Sequence, residues 1–150
     1  MQRIMFKLID SVALFSGLSQ AELVDLLTNS DKCTFQENMV ILSDGSSGNF
    51  MYILVEGEVE IIKKLDNGKT KVLAKLASGD CFGEMALVDS HTRCASVVST
   101  VPCVLIRLSE NGFSQNPAIS AKLYRNIARQ LSSRLRNSNA MISLGLQDHS

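Results

Sequence analysis

The sequence predicts a mainly β fold with flanking helices, a β-roll of the jelly-roll-like barrel kind, and three features carry that expectation. Between Cys33 and Leu108 the chain is written in short β-branched and aromatic runs: MVIL, FMYILV, EVEIIKKL, KVLAKL, ASVVS and CVLIRL. Glycine turns separate them at Asp44-Gly45, Glu56-Gly57, Asn67-Gly68 and Ser78-Gly79, a spacing of about ten residues that suits repeated hairpins. On either side of this stretch the apolar residues change to a helical period.

Residues 1–30 read as an N-terminal helical segment. Leu14, Phe15 and Leu18 precede the capping box Ser19-Gln20-Ala21-Glu22, and Leu23, Leu26 and Leu27 follow at helical spacing. Residues 31–108 supply the roll, with Asp66-Asn67-Gly68 as its strongest hairpin signal. After Ser109, Pro117 suits a first helical position, and Ile119, Leu123, Ile127, Leu131 and Leu135 step by four along one face. C-terminal lid helices are therefore expected over residues 109–140, the last of them about twenty residues long. The final stretch, NSNAMISLGLQDHS, is weakly patterned. A chain of 150 residues with 45 % hydrophobic content suits one domain, residues 1–150, with one core. Too little sequence follows the terminal helix for a helix-turn-helix reader of DNA.

Fifteen basic and fifteen acidic residues cancel, so no net field draws the molecule to nucleic acid or to an anionic membrane. Neither direct DNA binding nor membrane association is expected. The charge is uneven, though: from residue 111 onward there are Lys122, Arg125, Arg129, Arg134 and Arg136 against Asp148 alone. That basic tail is either a solvated helix face or a contact surface. Cys33, Cys81, Cys94 and Cys103 form no C-x-x-C pair, and His91 and His149 do not cluster with them, so neither a metal nor a disulfide framework is suggested. The opening MQRIMFKLIDSVALFSG is interrupted by Lys7 and Asp10 and lacks a small-residue cleavage site. No run reaches the roughly 18 apolar residues of a membrane span. A cytoplasmic location is the expectation.

One segment does not read as strand: SGDCFGEMALVDSHTRCASVV sets small residues and a charged pair, Glu84 and Arg93, into the roll. A Gly-Glu step that opens a helical turn presents unsatisfied N–H groups, which favour an anion. Gly83 permits close approach, Arg93 offers a planar fork to two phosphate oxygens, and the Glu84 carboxylate accepts from a hydroxyl. A phosphate beside a diol fits that set; so does a plain Glu84–Arg93 ion pair.

At these residues the sequence resembles the cyclic nucleotide-binding domain family. Its phosphate-binding cassette, F-G-E-[LM]-A-L followed by R-x-A-[ST], is met by Phe82-Gly83-Glu84-Met85-Ala86-Leu87 and by Arg93-Cys94-Ala95-Ser96. The strand pair Y-x-I-x-x-G-x-V-x-I is similar to the stretch from Tyr52 to Ile61, and Leu14-Phe15-Ser16-Gly17-Leu18 resembles the family's N-terminal opening. Two positions depart, Asn38 for a usual glycine and Ser46 for a frequent acid; asparagine tolerates the left-handed conformation.

The resemblance implies a ligand site made of Gly83, Glu84, Met85, Ala86, Arg93, Cys94, Ala95 and Ser96, within a cassette spanning 82–96. Glu84 would hold the ribose 2′-hydroxyl and Arg93 the exocyclic phosphate oxygens, with backbone N–H groups around Ala86 and Cys94 completing the cradle. Leu76 would lie against the purine, or be an ordinary roll leucine. Arg134 is the candidate cap over the base, or a solvent-facing arginine. Cyclic GMP-selective members often carry a threonine where this chain has Cys94, whose thiol is a weak donor, so cyclic AMP is the expected ligand. The implied activity is non-enzymatic: a sensor whose C-terminal helix moves when ligand binds. The apolar stripe of that helix docks on the roll or pairs with a second copy as a homodimer. Three other readings stay open: a cyclic GMP sensor, an interaction scaffold that has lost its ligand, and the regulatory fragment of a larger effector whose partner the sequence does not name.

Overall fold

Strands with apolar residues on both faces have to be covered on both sides, and the chain builds its layers around two of them. The structure, a computed structural model, describes residues 11–84 and 93–148, with the side chains of all of these except 113, 114 and 138–148. A single 3-10 turn, Ala13–Phe15, and α1 (Gln20–Thr28) precede the strands. The eight strands are β1 (Asp31–Phe35), β2 (Val40–Leu42), β3 (Phe50–Glu56), β4 (Glu58–Lys64), β5 (Thr70–Ala77), β6 (Cys81–Phe82), β7 (Ser96–Ser99) and β8 (Cys103–Ser109). Two helices close the chain, α2 (Glu110–Ser114) and α3 (Pro117–Asp148).

The strands form two antiparallel four-stranded sheets, ordered β1-β8-β3-β6 and β2-β7-β4-β5. Successive side chains of a strand point to opposite faces, and β3 and β8 of the first sheet are buried on both. Tyr52 and Leu54 of β3, with Cys103 and Leu105 of β8, meet Leu42, Val59 and Val97 of the second sheet inside the roll. Met51 and Ile53, with Ile106 and Leu108, face the helical layer of Leu14, Phe15, Leu23, Leu26, Ile119, Leu123 and Ile127. The roll with flanking helices is as expected, and all six of the strand runs read from the sequence are present. The turn glycines 45, 57, 68 and 79 take left-handed φ, and Asn38 sits at φ 63° in place of a glycine.

The capping box forms as expected: the Ser19 hydroxyl accepts from Glu22 N–H at 3.1 Å, and the Glu22 carboxylate accepts from Ser19 N–H at 2.9 Å. Lys122 of α3 also reaches Glu22, at 2.6 Å. That ammonium, and then the Ser19 N–H, hold the Glu22 carboxyl below its ordinary range.

The ends of the chain differ from expectation in two ways. Helix over residues 1–10 lies outside the described residues, and the described part of the N-terminal segment is a short turn and one helix rather than continuous helix. The terminal helix has 32 residues, not about twenty, and runs past 140 to Asp148. Its weakly patterned end contains no proline to break it, and a single Gly145 costs only about 1 kcal/mol relative to Ala.

Asn126 interrupts the apolar face of α3, yet it is buried, and its amide donates to the carbonyls of Leu14 at 2.7 Å and Ser16 at 2.8 Å. It ties α3 to the 3-10 turn. Replacing it by Leu strips the buried Leu14 carbonyl and the partly buried Ser16 carbonyl of a donor, which costs about 1–3 kcal/mol. Asn126→Leu is therefore expected to lower unfolding stability by that amount in urea; wild-type stability would show that the two bonds contribute nothing.

Candidate functional site

The site is built where β6 ends. Cys81 and Phe82 alternate like any strand pair, Cys81 toward the helices and Phe82 toward the roll interior. Gly83 then takes φ 81°, a conformation that L side chains rarely adopt, and a Cβ there would collide with Nη1 of Arg93. The missing side chain thus makes room for an arginine of the protein itself. Whether the following turn is helical lies outside the described residues, as do Met85 and Ala86.

Arg93 is half-buried, and its guanidinium is held by the main chain. Nη1 donates to Gly83 O at 3.0 Å, Nη2 donates to Phe50 O at 2.7 Å, and the carbon of the group sits 5.2 Å from the centre of the Phe50 ring. Its backbone is fixed as well: Arg93 N donates to Ser46 O, and Gly45 N donates to Arg93 O, each at 2.8 Å. Burial pulls the guanidinium below its ordinary pKa, against the pull of Tyr52 and Glu84. Desolvating a cation is unfavourable, so the acceptors around it matter.

Glu84 is 2 % exposed, and its cation partner is Arg134 of α3, whose Nη1 donates to Oε1 at 2.5 Å. Among the described residues Glu84 and Arg93 form no ion pair. Arg134, expected as the cap over the base, therefore lies against the residue expected to hold the ribose. One turn earlier on α3, Gln130 accepts from the Cys81 thiol at 3.3 Å. Burial, and then the nearby Glu84, push that thiol up to about 12.

The remaining expected residues line the same region. Leu76 is half-buried on β5 and packs with the interior cluster of Leu42, Phe82 and Val97. Cys94 is exposed, and its carbonyl accepts from Lys63 Nζ at 2.6 Å, while the same ammonium pairs with Asp44 at 3.0 Å. Ala95 is half-buried, and the Ser96 hydroxyl accepts from Asp44 N–H at 2.9 Å. No disulfide links the four cysteines. Two of the five basic residues of the tail, Lys122 and Arg134, are engaged in ion pairs with the body.

Sequence reasoning missed Phe50, Lys63 and Gln130. Phe50 had a legible signal, since it stands two residues before Tyr52 and shares its face of β3. Lys63 and Gln130 act across long separations that no local pattern reports. An open groove of about 620 Å³ between the 3-10 turn and α3, lined by Ser11, Ser16, Asn126 and Arg129 among others, contains none of the cassette residues; large volume alone does not mark the chemistry. Among the described residues no cluster of His, Cys, Asp and Glu is set to hold a metal, and no helix is long and apolar enough to cross a membrane.

A thiol kept neutral by burial stabilises the fold below the pH at which it ionises when unfolded, and that contribution is lost as pH rises from about 9 toward about 12. Chemical denaturation across this range is expected to show an alkaline loss of stability that Cys81→Ala reduces. Identical slopes for the two proteins would mean that Cys81 does not titrate with folding.

The sequence profile of the cyclic nucleotide-binding domain family matches residues 32–116, more than half of the chain. A cAMP-dependent protein kinase regulatory subunit of Aspergillus fumigatus is 33 % identical over 107 residues, which are 71 % of this chain and 25 % of that protein. The chain thus spans about a quarter of that relative's length. The crystal structure of the Thermus thermophilus catabolite activator protein superposes with a TM-score of 0.80 at 27 % identity, covering 88 % of this chain and 62 % of that one. The regulatory domain of Toxoplasma gondii PKA, in a co-crystal structure with cAMP, superposes with a TM-score of 0.67 at 26 % identity, over 75 % of this chain and 42 % of that one. The chain therefore belongs to the cyclic nucleotide-binding domain family.

Proposed function

We propose that this domain binds a cyclic nucleotide, cyclic AMP in preference to cyclic GMP, and passes the binding event to its terminal helix without catalysis. One observation carries the reading. Arg93 is a half-buried cation whose partners, among the described residues, are carbonyl oxygens and an aromatic ring rather than a carboxylate. A guanidinium has five N–H donors, so the two carbonyl bonds do not exhaust it, and a phosphate would supply a negative charge that these carbonyls and the ring do not carry. The cAMP named for the kinase relatives supports the choice of nucleotide, as does the weak hydrogen-bonding capacity of Cys94.

In this reading Glu84 takes the ribose 2′-hydroxyl. Its carboxylate has two oxygens, one of them already bonded to Arg134, so sugar and α3 meet on a single group. Ligand binding then alters what holds α3 to the roll, and the helix shifts in proportion to the difference in ligand affinity between its two dockings. Arg134 remains the proposed contact for the base once it moves, and Leu76 the proposed apolar wall. Because related proteins extend well beyond the matched region, the output of the signal is assigned to a separate effector.

Calorimetric titration with cyclic AMP, cyclic GMP and 5′-AMP tests the reading. Micromolar or tighter binding of cyclic AMP, weaker binding of cyclic GMP and little of the ring-opened 5′-AMP are expected; no heat from any of them on folded protein would leave an interaction scaffold as the better account. Arg93→Ala should weaken binding by roughly 2–4 kcal/mol, the loss of a buried charge partner, which is about thirtyfold or more. Glu84→Gln should cost less, about 1–3 kcal/mol. Arg134→Ala should also weaken binding and remove ligand-induced hydrogen-exchange protection from α3.

The apolar stripe of α3 is buried at Ile119, Leu123 and Ile127, partly buried at Leu131, and 63 % exposed at Leu135. That exposed end is the proposed contact for a second copy. Sedimentation velocity at tens of micromolar is expected to show a dimer that Leu135→Glu dissociates; a monomeric wild type would remove the proposal.

A further inference from the structure

The ring of Phe50 is placed between two cations and braced from the side. Arg93 lies over it at 5.2 Å and Arg107 at 5.5 Å, and Arg107 is itself paired with Asp31 at 3.0 Å. The edge of the Phe50 ring meets Tyr52, with centres 5.6 Å apart and planes at 82°, and Tyr52 stacks on Phe82 at 5.4 Å. Phe82 directly precedes Gly83, whose carbonyl also holds Arg93. A row of three rings therefore runs from the guanidinium to the strand that carries the cassette. Gly48 supports it from the other direction: a Cβ there would stand 2.7 Å from Cε1 of Phe50, so the glycine leaves the ring its place.

Phe50 touches Arg93 twice, through its carbonyl and through its face. The carbonyl contact is independent of side-chain type, but the face is not, because only an aromatic ring carries the quadrupole that attracts a cation. Burial disfavours the charged arginine, and a desolvated cation–π contact offsets that without consuming an N–H donor. A carboxylate in the same place would hold the guanidinium more strongly and would compete with an incoming phosphate. From this arrangement we propose that Phe50 is the positioning residue of Arg93: its ring fixes the guanidinium in the pocket without taking up its N–H donors, and so sets the affinity for the phosphate. The inference deepens the nucleotide reading and, for its affinity half, rests on it.

Two measurements separate them. In the ligand-free protein the Arg93 Nε–Hε resonance, assigned by its loss in Arg93→Lys, is expected to carry a ring-current shift and to exchange slowly with solvent. Phe50→Leu and Phe50→Met should abolish both features, Gly48→Ala should disturb them by displacing the ring, and Phe50→Tyr should keep them. Cyclic AMP titrated into the same proteins should bind roughly five- to thirtyfold more weakly to the Leu and Met variants, with affinity restored in the Tyr variant. In an Arg93→Gln background, Phe50→Leu should have no further effect. An Arg93 resonance unmoved by both Phe50→Leu and Phe50→Met overturns the positioning role, as does an equal loss of affinity in the Arg93→Gln background. A wild-type protein that binds no nucleotide, with the resonance behaving as described, removes the nucleotide reading and leaves the positioning of Arg93 by Phe50 standing.

Discussion

A carboxylate removed from water as far as Glu84 requires a cation or several donors, since an unpaired buried charge costs several kcal/mol even after the protein relaxes. Here the cation comes from α3, fifty positions along the chain. The rest of the arrangement depends on that requirement. Arg134 can reach Glu84 only if α3 lies along the β1-β8-β3-β6 sheet, and the helix is held there by Ile119, Leu123 and Ile127, by Asn126 on the 3-10 turn and by Lys122 on Glu22. Arg134 is about half exposed, so the strength of the contact comes from the glutamate's side, where water is excluded, rather than from an ordinary surface pair.

The two charged residues of the cassette are treated in opposite ways. Glu84 is paired with a side chain that belongs to α3, in the layer outside the roll. Arg93 is held by carbonyls and a ring that belong to the roll itself. The roll thus supplies a fixed cation, while the carboxylate is shared with the layer above. In the proposed function, this division is the route by which a ligand on Glu84 would bear on the docking of α3.

Much of this was legible in the sequence, for reasons that differ along the chain. The doubly covered β3 reads as FMYILV because both of its faces are core, and the capping box at Ser19 is read locally because it is a local structure. β1 was only partly read, as DKCTF is polar and half-exposed, and the two-residue β6 is too short to carry a period. α3 continues past the point where its hydrophobic pattern fades, since nothing in that stretch breaks a helix. At the candidate site, Gly83, Glu84 and Arg93 stand out in the sequence, but the partners that the structure gives them do not. The contact of Arg134 with Glu84 and that of the Phe50 ring with Arg93 are set by tertiary packing between distant elements, which local spacing does not report.

The brevity of β6 has a consequence for how this chain tolerates length changes. A long strand can absorb an inserted residue as a bulge and resume its alternation, but Cys81 and Phe82 have no room to do so. One residue gained or lost between Asp80 and Glu84 would turn the thiol into the aromatic interior, send the phenylalanine toward the helices, and face the carboxylate away from Arg134. The hairpin around Asp66-Asn67-Gly68, exposed and remote from both cores, carries no such restriction. Insertions and deletions in natural variants should therefore collect at that hairpin and be absent from the segment that leads into Gly83.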